Sequence, residues 1–255
     1  MGVSILATAV VHYSAAAVSD KGRKRASNED AFGYSIEHGA YLVCDGMGGA
    51  AAGEIASSLA VDEVMRLLTD RPDGVSLEAL IEQAISAANE AIFSRSQANP
   101  KLNGMGTTLV ALVVEDRTVR VLNIGDSRCY RLRAGHLKQI SEDHSLVDEQ
   151  VRLGRMTPAE ALRSPLRNVI TRALGTQSRV TPDVFDLEAE PGDLFLLCSD
   201  GLTRELSDER IESLLAAGLT PAELSLGALC KNLVDAANNA GGGDNITCLL
   251  LHAEA

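Results

Sequence analysis

Residues 107–140 read TTLVALVVEDRTVRVLNIGDSRCYRLRAGHLKQI. Four apolar runs, 107–114, 119–124, 128–133 and 136–140, are rich in Val, Leu and Ile and are separated by short polar or glycine-containing connections. That spacing predicts a meander of four antiparallel strands, with Asp126 at the tip of the Gly125-Asp126-Ser127 connection. As a turn residue, Asp126 needs no function beyond capping it.

The chain changes period on both sides of this block. Upstream, residues 4–18 alternate and read as an opening strand, 19–28 as a polar turn, and 31–36 as a second strand. Residues 41–44 are a short apolar run that stops at Asp45 and the turn Gly46-Met47-Gly48-Gly49. Over 51–69 the apolar positions Ile55, Leu59, Val64, Leu67 and Leu68 recur at helical steps. A second helix starts at Ser76 as N-cap and carries Leu77, Ile81, Ile85 and Ile92 on its stripe. Downstream, 143–180 is charged and Arg-rich, holds Pro158 and Pro165, and reads as an inserted flap. Strands follow at 184–187 and 194–198, helices at 208–217 and 221–238, and a last strand at 246–252. Strand blocks interrupted by paired helices give an α+β chain in which helices cover antiparallel sheets.

Bulk properties narrow the function. The 255 residues fit one large domain or two small ones, and 45% hydrophobic content can build a core from Leu, Val, Ile and Ala without Trp. A net charge of −12 excludes nonspecific nucleic-acid binding, which needs clustered Lys and Arg. Five cysteines, an odd number without a CxxC pair, lie mostly in apolar runs, so a reducing compartment and no disulfide framework are expected. No basic leader and no stretch of about 18 apolar residues is present, so a soluble, cytoplasmic protein is expected.

One local pattern recurs in the acidic residues. Apolar runs end in an aspartate beside a small residue in YLVCDGMGG at Asp45 and LFLLCSDGL at Asp200. GGGDNITCLLL enters a strand just after Asp244, and VLNIGDSR presents Asp126. A single Asp-Gly after a strand is more often a turn than a ligand. Converging carboxylates, however, repel one another and raise their own pKa values unless cations join them. An all-oxygen set suits Mg²⁺ or Mn²⁺ rather than Zn²⁺. In Arg25-Ala26-Ser27-Asn28-Glu29-Asp30 a guanidinium suited to phosphate precedes an acidic pair at a strand edge. Taken alone, that stretch also reads as a solvated turn.

RASNED, CDGMGG, GMGTTL, IGDSR, LCSDGL and GGDNIT, in this order, resemble the metal-dependent protein phosphatases of type 2C, the bacterial members above all. The resemblance runs from about residue 19 to about 250. It implies one catalytic domain over 1–255, folded as two antiparallel sheets packed together and flanked by helices, with 143–180 as the variable flap. It further implies two Mn²⁺ or Mg²⁺ ions, with Asp45 bridging them, Gly46 offering its carbonyl, and Asp200 and Asp244 completing the direct ligands. Glu29 and Asp30 would act through water at the metals. Asp126, with Asp200, would support a third ion found in bacterial relatives. Arg25 would hold the substrate phosphate. The substrates implied are phosphoserine and phosphothreonine in proteins, the partners Ser/Thr kinases and their targets, and the form a monomer.

Two positions depart from the pattern. Animal relatives carry a histidine just after the Asp-Gly where this chain has Met47, which cannot protonate a leaving group. Some bacterial relatives place a flap serine near the third ion where this chain has Asn168. His144, at the opening of the flap, is a candidate acid, its plainer reading being an anchor for the flap. Two rival functions remain: a narrow-specificity regulatory phosphatase of the anti-sigma-antagonist type, and a pseudophosphatase that binds phosphoprotein without turnover.

Overall fold

The computed structural model describes residues 11–48, 52–72, 74–218 and 225–254. The chain opens with β1 (His12–Asp20), β2 (Asp30–Ser35) and β3 (Ala40–Met47), then helices α1 (Ala52–Thr69) and α2 (Leu77–Ala98). After the short β4 (Gly106–Thr107) come β5 (Leu109–Glu115), β6 (Thr118–Ile124), β7 (Arg128–Arg133) and β8 (His136–Gln139). The flap contributes only the short helices α3 (Leu146–Arg152) and α4 (Pro158–Ala161). The chain returns through β9 (Asp183–Glu188) and β10 (Leu194–Cys198) to α5 (Asp200–Thr203), α6 (Asp208–Gly218), α7 (Leu226–Ala240) and β11 (Ile246–Glu254).

Two antiparallel sheets result, one in the order β1-β11-β10-β7-β8, the other β2-β3-β5-β6-β9 with β4 added to β3. The period of two along each strand explains the layering. On β3, Tyr41 and Val43 pack with Phe195, Leu197 and Leu249 of the facing sheet. Leu42 and Cys44 on the same strand point the other way, to Ala56, Ala60 and Ile85 of α1 and α2. Leu196 and Cys198 of β10 likewise pack under Leu229 and Leu233 of α7. Three apolar layers between four structural layers make the expected helix–sheet–sheet–helix sandwich.

The expected meander is corrected. β5 pairs β6 and β7 pairs β8, but β6 and β7 belong to different sheets. Gly125-Asp126-Ser127 is therefore the crossing between sheets rather than a hairpin tip. Gly125 has φ +107°, and a Cβ there would meet the Thr108 side chain at 2.6 Å, so the crossing demands glycine.

Other boundaries move by pairing. Residues 19 and 20, expected in a turn, extend β1 because β11 pairs with it from His12↔Glu254 to Asp20↔Ile246. β3 continues through Asp45 to Met47, because Asp30 of β2 lies opposite Asp45 and β4 lies opposite Gly46 and Met47. Residues 4–10 of the expected first strand and 221–224 of the expected last helix lie outside the described residues. All five cysteines are buried and free.

Candidate metal centre

Antiparallel register gathers strand ends at one end of the sandwich. Asp30 opens β2 directly opposite Asp45 near the end of β3. Cys198 at the end of β10 faces both Cys248 of β11 and Arg128 of β7, which brings Asp200, Asp244 and Asp126 to the same rim. The cleft there is lined by Arg25, Glu29, Asp45, Gly46, Met47, Asn168, Asp200 and Asp244. Of the residues expected to bind metal or phosphate, Arg25, Glu29, Asp45, Gly46, Asp200 and Asp244 line this cleft, Asp126 lines the adjoining cleft beneath the flap, and Asp30 lies opposite Asp45 on β2.

The approach of these segments is close. A Cβ on Gly46 would lie 2.1 Å from the Gly53 carbonyl oxygen and 2.6 Å from that of Glu29, and the Gly46 N–H donates to Glu29 O at 3.1 Å. A bare backbone at residue 46 thus lets α1 and the acidic loop close on β3. The Asp45 N–H donates to Thr108 Oγ1 at 2.9 Å, and Thr107 Oγ1 donates to Asp45 O at 2.9 Å. Asp45 is fixed by backbone, so its carboxylate is free for other work.

Charge is concentrated here. Burial first, then Asp30, Asp200, Asp126 and Asp244 in turn, push the Asp45 carboxyl well above the usual carboxylate range. Asp200 is pushed well up by burial and by Asp126, against the opposing charge of Arg204. Burial raises Asp126 to about 6, with Arg204 the main influence against it. Asp30 also rises to about 6 by burial, although Thr247 Oγ1 and Ser199 Oγ each donate to its Oδ2 at 2.7 Å. One oxygen on each of Asp30, Asp126 and Asp200 is buried with no hydrogen-bond partner among the described residues. Such orphaned acceptors call for a cation.

The residues fit a pair of hard divalent ions. Among the described residues no three His, Cys, Asp or Glu side chains form a ready cage for a single ion. The donors are all carboxylate and carbonyl oxygens, which suits ions such as Mg²⁺ or Mn²⁺ that take one or two carboxylates and keep several waters. Asp45 feels the charge of Asp30, Asp200, Asp126 and Asp244 together.

Two cations face the acids. Arg25 is half exposed and donates through Nη2 to Asp244 Oδ2 at 2.7 Å. Arg204 donates to Asp244 Oδ2 at 2.9 Å and pairs with Asp200 Oδ2. Sequence reasoning missed Arg204, although its i+4 spacing from Asp200 in TRE after the Asp-Gly was the available signal. It also missed Asn245. That side chain accepts from Glu29 N–H and donates to Lys21 O and Ser27 O, all at 2.9 Å, pinning the loop that carries Arg25 and Glu29.

His144 has both ring nitrogens engaged away from the cleft. Its Nδ1 accepts from Gly125 N–H at 3.1 Å, which leaves Nε2–H to donate to Asp183 Oδ2 at 3.0 Å. It is 3% exposed and fastens the flap to the sheet crossing. Met47 lines the cleft as a spectator in proton transfer, and Asn168 reaches it from the flap.

The comparisons agree with this geometry. The family profile described as protein phosphatase 2C matches residues 20–232. The serine/threonine protein phosphatase PstP of Mycobacterium tuberculosis (strain CDC 1551 / Oshkosh) is 42% identical over 245 residues, 95% of this chain. The chain spans 45% of that relative's length. The serine/threonine phosphatase stp of Listeria monocytogenes serotype 4b (strain F2365) is 37% identical over 92% of this chain and 94% of its own length. The crystal structure of the catalytic domain of PstP in complex with two manganese ions superposes with a TM-score of 0.85 at 38% identity, covering 97% of this chain and 100% of that one. With a matched profile, close relatives and a carboxylate cluster at the rim of the shared fold, the chain belongs to the protein phosphatase 2C family.

Proposed function

We propose that this chain hydrolyses phosphoserine and phosphothreonine in proteins, with Asp45, Gly46, Asp200 and Asp244 holding two Mn²⁺ or Mg²⁺ ions. The observation that carries the reading is Asp45, a half-buried carboxylate facing four others at the end of a sandwich whose relatives include a two-manganese structure. Ions held by these residues would supply an activated water and positive charge against the phosphoryl oxygens.

The protein's own residues do the rest. Asp45 shares the cleft with Asp200 and Asp244, and Thr107 and Thr108 hold its backbone, so the carboxylate is preorganised. Glu29 and Asp30 lie behind it, Asp30 held by Ser199 and Thr247 so that its second oxygen can accept from water. Arg25 is the exposed cation of the cleft and swings from Asp244 to the substrate phosphate, where its planar fork pairs two oxygens. Charge neutralisation and positioning are most of the work in phosphoryl transfer. Met47 and the committed ring of His144 leave water, rather than a side chain at either position, to protonate the leaving oxygen.

Phosphorylated proteins, including Ser/Thr kinases and their targets, are the partner class this chemistry serves. Asp45→Ala and Asp200→Ala are expected to abolish Mn²⁺-dependent release of phosphate from a phosphothreonine peptide. Full activity in either variant would sink the ligand assignment. Arg25→Ala should act chiefly on KM, and an unchanged KM would remove its role.

A further inference from the structure

Thr108 interrupts the ladder between β3 and β5 at the level of Asp45. Val43 pairs Val110, which sets Thr108 opposite Asp45, and the Thr108 N–H donates to Asp45 O at 2.9 Å as in a regular pair. The return bond is different. The Asp45 N–H goes to the Thr108 hydroxyl at 2.9 Å, where a regular pair would use the Thr108 carbonyl. A side chain has taken the place of backbone next to a carboxylate of the cleft.

That hydroxyl has a second partner. Thr108 Oγ1 and Ser127 Oγ lie 2.7 Å apart, and both residues are fully buried. Ser127 immediately precedes β7, in the sheet that faces the one holding β3 and β5. The bond therefore runs from one sheet to the other, and it joins the crossing that carries Asp126 to the strand that carries Asp45. Gly125, on the other side of Asp126, is held separately: its carbonyl accepts from Asn123 Nδ2 at 3.2 Å and its N–H donates to His144 Nδ1 at 3.1 Å. Among the described residues, the side-chain bond from this crossing that leads to Asp45 is the one through Ser127 and Thr108.

We propose that Ser127 is a positioning residue for the ion pair, acting through Thr108 to hold Asp45 in register with the crossing before any ion binds. The proposal rests on Asp45 being a ligand of those ions. A bond whose only role is to stabilise the rim would behave differently. Replacing such partners by apolar groups of the same shape is nearly neutral for stability, whereas losing a bond that orients a ligand costs about 10–100-fold in metal affinity.

Mn²⁺ titration calorimetry on the full chain, with Tm measured beside it in EDTA, separates the two roles. Ser127→Ala keeps every carboxylate, and its Mn²⁺ affinity should fall about tenfold or more. Thr108→Val, which keeps the shape and removes the hydroxyl, should fall at least as far, and Thr108→Ser, which keeps the hydroxyl, should stay near the wild type. Because Ser127 acts through Thr108, the double variant Ser127→Ala with Thr108→Val should bind Mn²⁺ no more weakly than Thr108→Val alone. Unchanged Mn²⁺ affinity in Ser127→Ala overturns the proposal, a fall in Tm alone being the mark of a rim bond. Additive losses in the double variant overturn it too, as does a Thr108→Ser that binds as weakly as Thr108→Val. If Ser127→Ala does not fold by circular dichroism, Ser127→Cys is titrated in its place with the same loss required. A wild type that binds no Mn²⁺ would overturn the ligand assignment beneath, a result distinct from a variant that binds as tightly as the wild type.

Discussion

Asn245 satisfies three backbone groups with one amide, tying Lys21, Ser27 and Glu29 to the entrance of β11. A net hydrogen bond contributes about 1 kcal/mol, and a buried group left without a partner costs about 1–3 kcal/mol. Asn245→Ala should therefore loosen the loop that carries Arg25 while sparing Asp45, Asp200 and Asp244. KM for a phosphopeptide is expected to rise about tenfold, about 1.4 kcal/mol, with kcat less affected. Steady-state kinetics on the purified variant checks this, and a fall in kcat at constant KM would contradict it. Asp30 shows the same economy of contacts, since two hydroxyls from β10–β11 hold one oxygen and leave the other to the cleft.

The flap is the element whose attachment decides how the cleft is covered. Besides His144, it is tied down by the backbone bridge Thr107↔Leu174, while Ser145↔Ile170 closes the flap on itself. Its short helices, with Leu153, Leu162 and Leu166 exposed, bury too little apolar surface to hold it by packing alone. His144→Ala orphans the Gly125 N–H and removes one of the two partners of Asp183, which keeps Arg172. We expect faster proteolysis within 143–180, a stability loss of about 1–3 kcal/mol, and retained turnover of a small aryl phosphate. Limited proteolysis alongside that assay tests it. Lost turnover with unchanged protection would make His144 the proton donor after all.

At the scale of the whole molecule, the acid cluster opposes folding until ions neutralise it. Burial pushes Asp30 and Asp126 up to about 6 in the folded chain against 3.8 ordinarily. Between those values the folded chain holds more protons than the unfolded one. Their contribution is therefore most favourable at the acid end and is lost as pH rises through the window, by on the order of 3 kcal/mol for a two-unit shift. Metal-free Asp126→Asn should melt above the wild type at pH 7 but not at pH 4. Mn²⁺ should raise the wild-type Tm at pH 7, because it binds the folded chain alone. Thermal scans in EDTA and in Mn²⁺ test both, and a variant no more stable at pH 7 would refute the assignment. Phe195, fully buried between the sheets, is a control away from the cleft. Phe195→Ala should cost about 3–5 kcal/mol at any pH.

Much of this was legible in order along the chain. The period of two in β3 and β5, the helical stripes of α1 and α2, and the six motifs name the elements and most of the acids, because side-chain alternation and turn chemistry are local properties. What pairing partners do is not local. Residues 119–124 and 128–133 look like neighbours in one meander, yet the chain changes sheet between them, since burying both faces of two sheets outweighs the shorter hairpin. That crossing carries Asp126 to the rim beside Asp200. Arg204 and Asn245 act across about forty and two hundred residues, and no spacing rule reaches that far. Which carboxylates this protein has to offer, and the strands that hold them, can be read along the chain. That they meet at one rim, with Arg204 on Asp200 and Asp244, follows only from the fold, because charge proximity is a property of the folded register and not of the order of residues.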